Sequence, residues 1–308
     1  MTSAHRFHAG YGGGATYTRE MMNPNPPTAP SQGPSDASTA PLLAFVGGGN
    51  MASAILGGLV AAGHPASRVV VVEPHAPQAD IVREKFGARV EAAGGAALAG
   101  ADIVVWAVKP QVFGEAAAPC APFVGRALHL SVMAGIRSDA IAHATGSERV
   151  VRAMPNTPAL IGEGIAGLFA RTAVTADDRA AIERVLAPTG ETLWVAQESD
   201  LDAVTALSGS GPAYVFFFLE AMMQAAGDMG LRPEQGRRLA LATFKGATAL
   251  ARASDEPPET LRARVTSKGG TTHAAIAAME IAGVKPAIVA ALRAAQGRAK
   301  ELGDEFGT

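Results

Sequence analysis

The sequence predicts an α/β protein in two parts: a doubly wound, mostly parallel sheet over residues 41–200, then an all-helical domain over residues 201–308. Three observations carry this reading. Apolar strand-like runs alternate with helical stretches from Leu42 to Val195, as in a sheet wrapped by helices on both faces. A glycine loop, Gly47-Gly48-Gly49, directly follows the first run and opens a helix. Beyond Leu201 the strand-like runs stop and proline-initiated helices take over.

Residues 42–46 are a short apolar run ending in glycines, and residues 50–62 have helical spacing. Residues 68–73 are the β-branched run of a parallel strand buried on both faces. Residues 80–86 read as helix. Further strands are expected at 101–108, 127–132, 150–153, 165–169 and 192–195, with helices such as 176–186 between several of them. The next helix, 212–229, has Pro212 at its start and Gly230 past its end, and residues 233–252, 258–265, 272–281 and 286–302 follow as helices. Helix 212–229 is apolar nearly all round, with Tyr214, Val215, Phe216, Phe217, Phe218, Leu219, Met222 and Met223. Such a helix must be buried on every side. A monomeric bundle would bury it at its centre, but in so small a domain a second subunit is the better cover.

The loop Gly47-Gly48-Gly49-Asn50-Met51-Ala52 fits G-x-G-x-x-G/A in its strand-loop-helix context. The first glycine permits the tight turn, the second lets a pyrophosphate approach the backbone, and Ala52 lets helix and strand pack closely. The helix N-terminus then offers unpaired N–H groups and positive dipole to the phosphates. Glu73, ending the second strand, can accept hydrogen bonds from ribose hydroxyls and would repel a 2′-phosphate. This favours NADH over NADPH, with His75 and Arg83 near enough to modify the preference. Ala107, Val108, Lys109 and Pro110 end one strand, and Met154, Pro155, Asn156, Thr157 and Pro158 end another, on the edge where such sheets bind ligands.

Composition narrows the classes. The chain has 308 residues, 48% hydrophobic and 18% charged, enough for two ordinary domains. A net charge of -2 gives no electrostatic case for nucleic acid or an anionic membrane. The single cysteine, Cys120, excludes an internal disulfide framework and fits a reducing, cytoplasmic compartment. No window is long and apolar enough to span a membrane: the run at residues 213–219 is broken by Glu220 and Gln224. Residues 1–40, rich in Gly, Pro, Ser, Thr and Asn, lack the layout of a signal peptide and read as a disordered tail, with Met21 and Met22 as alternative starts. The histidines show no metal-ligand spacing, so no metal is expected.

A second glycine-rich stretch, Thr266-Ser267-Lys268-Gly269-Gly270-Thr271-Thr272-His273, lies in helical surroundings. Together with the first loop, Ala107-Val108-Lys109-Pro110, residues 152–158 and residues 207–214, it resembles pyrroline-5-carboxylate reductase, in order from about residue 42 to 302. The motifs at residues 207–214 and 265–272 are much more specific than the glycine loop. Two positions depart from the family pattern: Lys268, where many members have proline, and Glu73, where NADPH-using relatives carry small residues. The resemblance implies hydride transfer from NADPH or NADH to the C=N carbon of 1-pyrroline-5-carboxylate, giving L-proline in the last step of its biosynthesis. It also implies a Rossmann domain followed by a helical dimerisation domain, both subunits of a homodimer completing the site, and dimers often assembled as a decamer of five. By motif, the cofactor would contact Val46, Gly47, Gly48, Gly49, Asn50, Met51, Glu73, Gly94, Ala107, Val108, Lys109, Pro110, Val132, Met133, Ala134 and Asn156. The substrate carboxylate would lie against Ser267, Gly269, Gly270 and Thr271, with the Thr272 hydroxyl near the ring nitrogen. Thr272 and Ser267 are thus the candidate catalytic residues, while Tyr214 and residues 208–212 shape the pocket.

Such chemistry suits a sequence with no catalytic dyad. A protonated cyclic imine is already an electrophile, so the protein must mainly position it and exclude water. Thr272 has too high a pKa for a strong acid, but a hydroxyl both donates and accepts, so it can orient the nitrogen and relay a proton. His273 reads as an exposed first-turn residue, and Asp255 and Glu256 as solvated loop acids. Two other readings compete. A β-hydroxyacid dehydrogenase-like C=O reductase would need an acid such as Lys245. A non-catalytic dinucleotide-binding redox sensor would have no use for the second glycine loop.

Overall fold

The computed structural model describes residues 39–306; the expected tail lies outside the described residues except for its last two positions. Eight strands form one sheet in the order β3-β2-β1-β4-β5-β6-β7-β8. They are β1 (Leu43–Val46), β2 (Val69–Val72), β3 (Arg89–Glu91), β4 (Ile103–Trp106), β5 (Leu128–Ser131), β6 (Val150–Met154), β7 (Gly164–Ala170) and β8 (Gly190–Trp194). The first six are parallel; β7 is antiparallel to β6, and β8 is parallel to β7.

Strand period divides the core in two. Leu43, Phe45, Val69, Val71, Ile103 and Val105 point to one face, covered by helices α1 (Asn50–Ala61), α2 (Ala76–Phe86) and, further along, α6 (Ala176–Leu186). Ala44, Val46, Val70, Val72, Val104 and Trp106 point to the other, covered by α3 (Phe113–Ala117), α4 (Ala121–Val124) and α5 (Ser138–Thr145). The doubly wound α/β class is therefore observed. Sequence periodicity missed β3, which is three residues long with one apolar side chain, Val90, between two charged ones.

After β8 the chain is helical: α7 (Asp200–Val204), a π segment (Thr205–Gly209), α8 (Gly211–Asp228), α9 (Pro233–Arg252), α10 (Pro258–Arg264), α11 (Thr271–Ile281) and α12 (Val284–Phe306). Helices α8 and α9 touch closely at Ala226 and Gly236, where a Cβ on the glycine would stand 2.8 Å from that of Ala226. Helix α12 returns to pack on α7 and the π segment. This half has little core of its own: on α8 only Ala226 is buried, while Phe216 is 58% and Phe217 71% exposed. Among the described residues no single helix is long and apolar enough to cross a membrane.

Candidate active site

Because β1 to β6 are parallel, their carboxyl ends share one edge. Chain order reverses between β1 and β4, which makes the ends of these strands the expected ligand crevice. Backbone bonds run along it: the Gly47 amide donates to Val72 O (2.9 Å), the Ala107 amide to Val46 O (2.8 Å), and the Val132 amide to Trp106 O (3.0 Å). Residues 46–51, Glu73, residues 107–110, residues 132–134 and Asn156 thus gather on this edge. Gly47 has φ +99°, and a Cβ there would stand 2.6 Å from the Ala107 carbonyl oxygen. Only glycine makes that turn without strain.

Helix α1 begins after Gly49 with no side-chain cap and no acidic residue in its first turn, and a Cβ on Gly49 would meet nothing within 4 Å. An uncapped helix start beside open backbone fits a pyrophosphate. The Gly48 peptide is held from both sides. Glu73 Oε2 accepts its N–H at 2.9 Å, while Gln78 Nε2 (2.6 Å) and Ser53 Oγ (3.2 Å) donate to its carbonyl. The other Glu73 oxygen accepts the His75 amide at 2.9 Å. Arg83 is turned elsewhere, paired with Asp80 at 2.7 Å. Gln78 had no signature in the sequence; its position in the first turn after Glu73 was the available hint.

The Asn156 side chain bridges the edge to the helical half: its Oδ1 accepts the Ile165 amide (3.0 Å) and its Nδ2 donates to the Ser208 carbonyl (3.2 Å). Gly94 lies just beyond β3 against Cys120, whose thiol is fully buried and pushed up by burial to about 11. A thiol so held is unreactive.

The second glycine loop is a turn closed by the Gly270 amide donating to Ser267 O at 3.0 Å, with Gly269 at φ +76°. The helix it feeds, α11, starts one residue earlier than its periodicity suggests, at Thr271, and has no side-chain cap. The first-turn amides of α11 therefore point out beside the Ser267, Thr271 and Thr272 hydroxyls. Ser267, Lys268, Gly269, Thr271 and His273 are exposed and Thr272 is half-buried. Helix α11 packs chiefly on α12 and makes no extensive contact with the sheet. Within one chain, no hydrogen bond or ion pair among the described residues joins the two glycine loops. Lys245 is exposed on α9, and Glu256 is paired with Arg264 at 2.5 Å. Among the described residues no cluster of His, Cys, Asp or Glu is arranged to hold a metal.

An edge of this kind, with a glycine turn, an uncapped helix and a carboxylate after β2, belongs to a nicotinamide-dependent oxidoreductase of Rossmann architecture. A family model described as pyrroline-5-carboxylate reductase dimerisation matches residues 198–302, and one described as NADP oxidoreductase, coenzyme F420-dependent, matches residues 42–135. The pyrroline-5-carboxylate reductase of Pseudomonas aeruginosa is 40% identical over 271 residues, covering 87% of this chain and 99% of that protein. Among solved structures, a pyrroline-5-carboxylate reductase from Coxiella burnetii superposes with a TM-score of 0.80 at 35% identity, covering 85% of this chain and 98% of that one. A pyrroline carboxylate reductase from Plasmodium falciparum with NADP bound gives 0.77 at 29% identity, covering 85% and 98%. The chain belongs to the pyrroline-5-carboxylate reductase family.

Proposed function

We propose that the chain reduces the C=N bond of 1-pyrroline-5-carboxylate to L-proline with NAD(P)H, and that its two glycine loops divide the work. When bound, a reduced nicotinamide supplies the hydride that adds to the imine carbon, the C=N π electrons moving to the ring nitrogen, which keeps its proton. The amides of Gly49, Asn50 and Met51 at the start of α1 face the pyrophosphate, the turn at Gly47 and Gly48 lets it approach the backbone, and Glu73 accepts from the adenosine ribose. Residues 107–110, residues 132–134 and Asn156 wall the nicotinamide side, and Gly94 lies toward the adenosine side. The first turn of α11, with Ser267, Gly269, Gly270 and Thr271, holds the substrate carboxylate; Thr272 orients the ring nitrogen through its hydroxyl.

One observation carries this division: two helices start uncapped behind glycine turns, one at the end of β1 and one at α11. Since α11 makes no extensive contact with the sheet of its own chain, a second subunit completes the site, which also covers the exposed face of α8. The enzyme is a homodimer through residues 201–308, while residues 41–200 bind the cofactor. The family resemblance supports a decamer of five dimers, and the lone reduced cysteine supports a cytoplasmic setting. Glu73 supports a preference for NADH.

The test follows NADH and NADPH oxidation with 1-pyrroline-5-carboxylate, alongside Thr272→Ala and Ser267→Ala. Turnover by the wild type is expected, with a substrate KM raised about tenfold or more in Ser267→Ala through loss of a hydrogen bond to a charged group. Absence of turnover with either cofactor overturns the reading. Sedimentation of the wild type separates dimer from decamer.

A further inference from the structure

A buried ionic cluster lies behind the site, apart from every residue given a role above. Arg152 on β6 is 6% exposed, and its guanidinium donates to Glu198 Oε1 at 2.7 Å while its Nε has no partner. Glu198 comes from the link between β8 and α7, yet it caps the start of α5. Its Oε1 accepts the Ser138 amide and its Oε2 the Ser138 hydroxyl, both at 2.6 Å, and Ser138 is 1% exposed. No local side chain caps that helix. Arg137, one residue earlier, reaches Asp202 on α7 at 3.4 Å and Asp304 on α12 at 3.9 Å, lying against Gly303. Arg171 also reaches the Ser138 hydroxyl, at 3.3 Å.

The placement of this cluster matters. It grips the chain shortly after residues 132–134 at the end of β5, and shortly before Asn156 at the end of β6. It also grips the entry to α7, which continues through the π segment into α8. Asn156 touches that same segment at Ser208, so the segment is fixed to the sheet at two points. A π turn is a rare element that frequently marks a functional site.

We propose that Glu198 is a positioning residue for the reaction: by tying Ser138 to Arg152 it sets where the π segment stands against the ends of β5 and β6. This rests on the imine-reductase reading above. The carboxylate does not touch substrate. It balances the buried Arg152 charge and the α5 N-terminus together, and loses both functions if its charge is removed.

Glu198→Gln tests this, with three readouts. Because a small misplacement of reacting groups costs far more rate than binding, kcat should fall about tenfold or more. The Kd for NADH, titrated by its fluorescence, should stay within about twofold, since the first glycine loop is remote from the cluster. Amide hydrogen exchange in peptides spanning residues 205–214 should quicken. A lower Tm with kcat and exchange unchanged would make Glu198 merely structural and overturn the proposal. Should Glu198→Gln not fold, Ser138→Ala removes the hydroxyl bond by which Glu198 Oε2 holds the start of α5; the same kcat loss and faster exchange are expected, and unchanged values overturn the proposal. If the wild type itself reduces no imine, the functional reading fails, whereas the exchange measurement still decides the coupling.

Discussion

The Glu73 carboxylate holds the Gly48 amide with one oxygen and the His75 amide with the other, each at 2.9 Å. A side chain pinned at both oxygens cannot swing aside to admit a second anion. A 2′-phosphate there would meet a fixed like charge at partly exposed depth, a repulsion on the order of 2 kcal/mol. Wild-type enzyme should therefore favour NADH. Glu73→Ser should shift the kcat/KM ratio toward NADPH by roughly ten- to a hundredfold. Equal use of both cofactors by the wild type would remove the argument.

The glycines of the first loop have separable purposes. A Cβ at Gly47 would press on the Ala107 carbonyl at 2.6 Å, in a backbone conformation of φ +99°. Gly47→Ala should therefore lower Tm and weaken NADH binding together, through strain of roughly 1–3 kcal/mol. At Gly49 a Cβ would meet nothing of the protein within 4 Å. Gly49→Ala should leave Tm nearly unchanged and raise the cofactor KM, because the methyl group occupies space left for phosphate. Thermal melts beside cofactor titrations distinguish the two; parallel behaviour would contradict the assignment.

The sequence was most readable where local pattern and tertiary role coincide. The all-valine β2 and the helical stretch at residues 176–186 are local signals, and the structure forms both elements. The strand β3 was invisible because a three-residue edge strand has no period to detect. The glycine loop was legible since its spacing is its mechanism. Gln78 and Glu198 were not: each acts through a partner 30 or 60 residues away, and neither residue type marks its function. The π segment was hidden too, since helical periodicity does not distinguish i+4 from i+5 bonding over five residues.

Between β4 and β5, Trp106 Nε1 donates to His129 Nδ1 at 3.0 Å, both rings fully buried. Burial holds the imidazole neutral and pulls its pKa from 6.5 down to about 4. Between these values the unfolded chain takes up a proton that the folded chain refuses. Stability is therefore full above pH 6.5 and declines as the pH falls toward 4. By about pH 5 the loss should reach roughly 2 kcal/mol in urea denaturation. His64, also lowered by burial, acts in the same direction, so the comparison that isolates His129 is His129→Gln. This variant keeps an acceptor for Trp106 and should flatten most of the slope. An unchanged slope would assign it elsewhere.

The face of α8 supplies the last expectation. Phe217 is 71% exposed and Phe216 58%, beside Val215, Met222 and Met223, in a helix with one buried residue. Fully burying one such ring contributes about 1.5–3 kcal/mol, and a two-fold interface buries each ring twice. Phe217→Glu would instead place two carboxylates in that apolar surface, so the dimer should dissociate at assay concentration, as sedimentation would record. Activity should vanish with it, because helix α11, which carries Thr271 and Thr272, makes no extensive contact with its own sheet. Mixing Phe217→Glu chains with wild type should not restore turnover to the variant. A monomeric Phe217→Glu enzyme that still reduced the imine at the wild-type rate would show that one chain brings its two glycine loops together unaided, and the shared site would have to be abandoned.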